Sequence, residues 1–170
     1  GRLANAPTPD MDENKRCALM LDRFFSDAPI HGGLAMIRCE LHSDTYEQSL
    51  DGYLGIIAAY AAANPDQAWI RGGGWSMGDF PNGTPRREDL DRIVPDRPVF
   101  LPNRDGHSAW VNTLALEVAG VTNETADPYD GRIERDPDGT ATGSLHDGAM
   151  DLVEEHIPPG VGFPVEWGAG

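Results

Sequence analysis

A chain of 170 residues with 28 acidic against 13 basic side chains carries a formal charge of −15, which repels phosphate backbones and anionic lipid surfaces and excludes nucleic acid and membrane as expected partners. The length suits one hydrophobic core, and 39% apolar residues with 20 Gly and 14 Pro describe a globular, loop-rich domain without the repeats of a solenoid. Two cysteines, Cys17 and Cys39, form no C-x-x-C pair, and no segment has the apolar run of a secretion signal or a membrane span, so a reduced, cytoplasmic protein is expected.

Residues 1–30 read as a lead-in, within which residues 12–25 carry apolar positions loosely at helical spacing. After Gly32-Gly33, residues 34–41 are rich enough in Ile, Met and Leu for a buried strand, and Ser43, Asp44 or Thr45 can cap the next helix. From Tyr46 to Ala63 the positions Leu50, Tyr53, Leu54, Ile57, Tyr60 and Ala61 recur every three or four residues and predict that helix as amphipathic, ended by Asn64-Pro65-Asp66. A strand at residues 69–72 then runs into Gly72-Gly73-Gly74. The turn Pro81-Asn82-Gly83 precedes a predicted helix capped by Thr84, with Pro85 at its first position and acids in its first turn.

Residues 98–101 predict a short strand, and Ser108 is the expected N-cap of a helix over residues 109–118, closed by Gly120. Residues 131–136 and 141–145 flank Asp138-Gly139 and predict a hairpin. A last helix is expected over residues 146–156, halted by Pro158-Pro159-Gly160, with residues 158–170 as a tail. Helices mixed with short strands and a hairpin predict an α+β domain of two layers, a small mixed sheet with helices on one side.

Three clusters carry candidate chemistry. Gly72-Gly73-Gly74 before Trp75 lets backbone approach closely, either as a bulge or as a ligand wall, but lacks the spacing of a phosphate loop. Asn103-Arg104-Asp105-Gly106-His107-Ser108 brings a carboxylate, an imidazole and a hydroxyl to a strand end, where Asp105 would fix the His107 tautomer; a plain helix cap is the bland alternative. Ser108 as a nucleophile is disfavoured, because sequence neighbours rarely meet triad geometry. His146-Asp147 reads as a surface cap at a helix start.

Two stretches together, AWIRGGGWSMGDFPNGTPRREDLDRIVPDRPVFLPNRDGHSAWVNTLALEVAG (residues 68–120) and GRIERDPDGTATGSLHDGAMDLV (residues 131–153), carry a family likeness. Across residues 33–157 the chain resembles the segment that metal-dependent amidohydrolases of family 3 insert after the first strand of their barrel. The resemblance implies an amidohydrolase-insert-like domain over residues 31–157 that walls and caps a substrate cavity. The parent reaction would be metal-assisted attack of water on an amide or related C–N bond. By the same resemblance the D-G-H-S-x-W-V-N run faces the cavity, so the substrate-binding candidates are Trp75, Asp105, His107, Ser108 and Trp110, with His107 first among them.

The parent family would use zinc or another divalent metal. Its H-x-H pair has no counterpart in FFSDAPIHGG (residues 24–33), where His31 stands alone. No catalytic or metal-ligating residue is therefore assigned, and the chain reads as a truncated piece without independent activity. The rival expectation is a standalone ligand-binding or self-association module, a homodimer covering apolar surface from Trp69, Trp75, Phe80, Trp110, Phe163 and Trp167. A third is a minimal enzyme with a new metal site drawn from His31, His107, His146 and nearby carboxylates.

Overall fold

The structure, a computed structural model, describes residues 39–41 and 49–158. The expected helix at residues 12–25, His31, Phe163 and Trp167 lie outside the described residues. A six-stranded mixed sheet runs in the order β1-β2-β3-β4-β6-β5, with β1 (Cys39–Glu40), β2 (Ile70–Gly73), β3 (Val99–Pro102), β4 (Ser108–Val111), β5 (Gly131–Arg135) and β6 (Ala141–Asp147). The first three strands are parallel, and β4, β6 and β5 continue the sheet antiparallel to their neighbours. Four α-helices accompany them among the described residues: α1 (Leu50–Ala63), α2 (Arg87–Ile93), α3 (Thr113–Ala119) and α4 (Asp151–Glu154). The fold is α+β around one small mixed sheet, as the sequence predicts.

Helices cover both faces rather than one. Val99, Leu101 and Trp110 join the core under α1 and α2, with Tyr53, Ile57 and Leu90, while Phe100, Ala109 and Val111 join a second core with Ala115, Leu116 and Val153 of α3 and α4. Successive strand residues point to opposite faces, and β3 and β4 are apolar on both. Strands of that composition require cover on both sides.

Local chemistry explains where the predicted boundaries moved. Ser49 caps α1, its side chain accepting the Gly52 N–H at 3.2 Å, while the cap candidates at residues 43–45 lie outside the described residues. Thr84 and Pro85 do not open α2, which begins at Arg87. The carbonyls of Pro85 and Arg86 instead accept Ser144 Oγ at 2.7 Å and Trp110 Nε1 at 2.9 Å. Those contacts hold the segment extended across the sheet, and only Glu88 and Asp89 remain as first-turn acids.

Ser108 is no N-cap. It opens β4, because Ala109 and Trp110 pair with both β3 and β6, Val111 pairs with β3, and the three alternate between the two cores. The cap of α3 is Asn112, and Gly120 closes that helix in the left-handed conformation at φ 70°. His146 and Asp147 likewise stay in strand β6, so the last helix shrinks to Asp151–Glu154. The hairpin β5/β6 forms as predicted, with Ile133 opposite Leu145.

The glycine run is structural. A Cβ on Gly72 would sit 1.9 Å from the Cys39 carbonyl oxygen, and one on Gly73 would sit 2.4 Å from that of Pro102. These glycines let β1, β2 and β3 close up.

Candidate functional site

Parallel β1, β2 and β3, with β6 in the same sense, bring their carboxyl ends to one edge of the sheet, where β4 and β5 begin. The β3–β4 hairpin carries Asn103 to His107 over that edge. Its backbone is tied down: Asn103 N–H donates to the Ser108 carbonyl at 2.7 Å, and Arg104 N–H donates to the Trp75 carbonyl at 2.8 Å. Asn103 Oδ1 accepts the N–H groups of His107 and Ser108, both at 3.1 Å. Asp105 Oδ1 accepts the His107 N–H as well, at 3.0 Å.

Asp105 therefore fixes the main chain of His107 and not its ring. The ring partner is Asp147 at the end of β6, whose Oδ1 lies 2.9 Å from His107 Nδ1. Both side chains are open to solvent, 76% and 57% exposed. Sequence reasoning missed Asp147 because it assigned residues 146–156 to a helix; its pairing with His107 depends on the β4/β6 register, which no local pattern encodes.

A second network lies one residue inward. Ser108 and His146 are directly opposite across β4 and β6, and Ser108 Oγ is 2.8 Å from His146 Nδ1. His146 Nε2 is 3.0 Å from Glu134 Oε2, which also receives Arg132 at 2.7 Å. Since a carboxylate only accepts, Nε2 carries a proton, and in the neutral ring Nδ1 then accepts the Ser108 hydroxyl. The order Ser-His-Glu has the connectivity of a nucleophilic triad. Ser108 is nevertheless 3% exposed, and the N–H groups of His107 and Ser108 are both spent on Asn103. Neither remains to stabilise an oxyanion there, so the network is a satisfied polar ladder.

Trp75 and Trp110 lie in the core, fully buried, with their indole N–H groups donated to the carbonyls of Leu101 at 2.7 Å and Arg86 at 2.9 Å. They support the edge from beneath with Phe80, which meets each edge-on at centroid distances of 5.3 and 5.2 Å. Trp69 is buried in the opposite core. Tyr53 stacks on Phe80, donates its hydroxyl to Asp79 and accepts the Ser76 N–H at 3.3 Å. Burial, reinforced by the Asp79 hydrogen bond, pushes its phenol up to about 12. Of the five predicted site residues, Asp105 and His107 face solvent while Trp75, Ser108 and Trp110 are interior.

A divalent metal, which the resemblance implies, finds no fitting donor set among the described residues. No group of three or more His, Cys, Asp or Glu converges there. Both nitrogens of His146 are engaged by Ser108 and Glu134, and His107 is turned toward a single carboxylate. No helix among the described residues is long and apolar enough to cross a membrane.

Known proteins resemble part of this chain. The chain is 38% identical over 124 residues to the protein LONG AFTER FAR-RED 3 of Arabidopsis thaliana, covering 73% of this chain and 21% of that one. It is 32% identical over 106 residues to the N-substituted formamide deformylase of Arthrobacter pascens, covering 62% and 20%. The fold matches the crystal structure of an uncharacterized metal-dependent hydrolase from Pyrococcus furiosus with a TM-score of 0.50 at 24% identity, over 72% of this chain and 22% of that one. The chain thus spans about a fifth of the length of the curated relatives it matches. The profile of the amidohydrolase family matches residues 25–162, most of the sequence, and the chain belongs to that family.

Proposed function

We propose that this domain walls and caps the substrate cavity of an amidohydrolase whose reaction is metal-assisted hydrolysis of an amide or other C–N bond, with His107 and Asp105 as its polar contacts to substrate. The observation that carries the reading is the His107 hairpin. An imidazole held outward by a tied-down loop, at the carboxyl edge of parallel strands, is placed as ligand-binding groups are in open α/β sheets. Family membership and a relative named for acting on N-substituted formamides support the choice of bond. The metal and the attacking water would come from a barrel outside the described residues, and the domain alone would not turn over substrate. Trp75 and Trp110 act here as the packed base of the wall rather than as its surface.

The test is complementation in trans. A family barrel lacking its insert is mixed with the 170-residue chain and assayed on N-substituted amides. Restored turnover, reduced about tenfold or more by His107→Ala, is the expected result. No turnover with both components folded, or turnover indifferent to His107→Ala, overturns the reading.

A further inference from the structure

Asp147 is the last residue of β6 and adopts φ 48°, the left-handed region. The chain turns sharply there: Gly148 N–H donates to the Asp130 carbonyl at 3.1 Å, and a Cβ on Gly148 would lie 1.9 Å from the Asp130 carboxylate. A left-handed position outside glycine costs roughly 1 kcal/mol, so Gly would suit the backbone of residue 147 better than Asp does. What the Asp adds is a carboxylate 2.9 Å from the ring of His107. Asp is among the few side chains that tolerate this region, so the fold admits it at the turn, and its carboxylate reaches the imidazole from there.

The contact also decides where the imidazole proton sits. A carboxylate offers no hydrogen, so Nδ1 must donate, and the neutral ring then bears its lone pair on Nε2. Nε2 has no hydrogen-bond partner among the described residues, and the ring is largely open to solvent. His107 is held twice by Asp147, because the Asp147 N–H also donates to the His107 carbonyl at 2.9 Å.

We propose that Asp147 is a positioning residue that fixes His107 as the Nδ1–H tautomer, so that Nε2 accepts a hydrogen bond from a substrate donor, the N–H of a secondary amide or N-substituted formamide. The substrate part rests on the capping function proposed above. The tautomer part stands on the domain alone. A site built this way favours a substrate with a polar hydrogen and disfavours both a carboxylate and an N,N-disubstituted amide at the same place, since each would face the lone pair without a donor.

Two measurements test it. Long-range proton–nitrogen correlation of the 15N-labelled chain, at a pH where the ring is neutral, reads the tautomer directly. The expected spectrum has His107 protonated at Nδ1 in the parent chain and shifted toward the Nε2–H form that free imidazole prefers in Asp147→Gly, a variant that relieves the backbone and therefore folds. A parent ring protonated at Nε2, or a tautomer unmoved by Asp147→Gly, overturns the proposal whatever the capping assay gives. In the complemented enzyme, the preference for a secondary amide over its N-methylated analogue, as a ratio of kcat/KM, should fall about tenfold in Asp147→Gly. An unchanged ratio beside restored turnover overturns the substrate assignment and leaves the capping function standing. Absence of any turnover with the unaltered chain is instead the failure of that function.

Discussion

Asn112 Oδ1 lies 2.9 Å from the Val99 nitrogen and 3.0 Å from that of Ala115, so one side chain caps α3 and holds the start of β3. Its Nδ2 donates to the carbonyls of Val94 at 3.1 Å and Arg97 at 2.8 Å. The residue is fully buried. Replacement by Ala orphans a strand N–H and two carbonyls and removes the cap, which should cost about 3 kcal/mol or more. Asn112→Asp should be no better, because its second oxygen would face the two carbonyls. Guanidinium denaturation checks both: a lowered midpoint at unchanged slope is expected.

Gly72 and Gly120 separate two reasons for having no side chain. Ala at Gly72 would drive its Cβ to 1.9 Å from the Cys39 carbonyl, whereas at Gly120, φ 70°, a Cβ meets nothing within 4 Å. Gly120→Ala therefore bears only the left-handed penalty of about 1 kcal/mol. Gly72→Ala must part β1 from β2 and should cost about 3 kcal/mol or more. Equal melting temperatures for the two variants would refute this account of the glycine run.

Legibility in the sequence tracked the range of the interaction. The existence of α1, of the β5/β6 hairpin and of the Gly120 cap depends on neighbours within a few residues, and the pattern of the chain reports them; the amphipathic stripe expected of α1 does not survive, because residues 52–57 and 59–61 are all buried, on every side of the helix. Ser108 misled because its run of Ala109, Trp110 and Val111 has no helical or alternating signature; its strand state comes from the hairpin with β3 and from pairing with His146 and Leu145 of β6, which lie far away in sequence. The Asn112-Thr113 pair ahead of an apolar run was the local signal for the true cap. At the site, His107 and Asp105 were visible as exposed polar types in a loop. Asp147 lies 40 residues from His107, and the burial of Trp75 and Trp110 arises only from the sheet being covered on both faces.

Arg86 makes a two-pronged contact with Asp136, at 2.9 and 2.8 Å. That hydrogen bond, with the charge of Arg86 as a smaller contribution, holds the Asp136 carboxyl below its ordinary 3.8. A carboxyl depressed in the folded state contributes stability that is present above its unfolded value and lost as pH falls through the folded one. Asp136→Asn should lower the melting temperature slightly at neutral pH, and the gap to the parent should close only below about pH 3.8. Both groups lie near the surface, so added salt should shrink the gap as well. Thermal melts at several pH values check this, and a gap constant down to acid pH would overturn the assignment.

Tyr53 supplies the alkaline counterpart. Its phenol rises from 10.0 to about 12, through burial first and the Asp79 hydrogen bond second. A group whose folded value is raised contributes stability fully present below the unfolded value and lost as pH climbs through the folded one, here between 10.0 and about 12. Tyr53→Phe keeps the ring on Phe80 but forfeits the bonds to Asp79 and Ser76, at roughly 1 kcal/mol near neutral pH. The parent should therefore lose its advantage over the variant across that alkaline window, as monitored by denaturation midpoints; parallel pH profiles would exclude a titrating Tyr53. Its hydroxyl braces the segment after Trp75, and the Trp75 carbonyl receives the Arg104 N–H at 2.8 Å. Tyr53→Phe should consequently loosen the His107 hairpin before it unfolds the sheet, and faster amide exchange at Arg104 than at Leu101 is the measurement that separates the two.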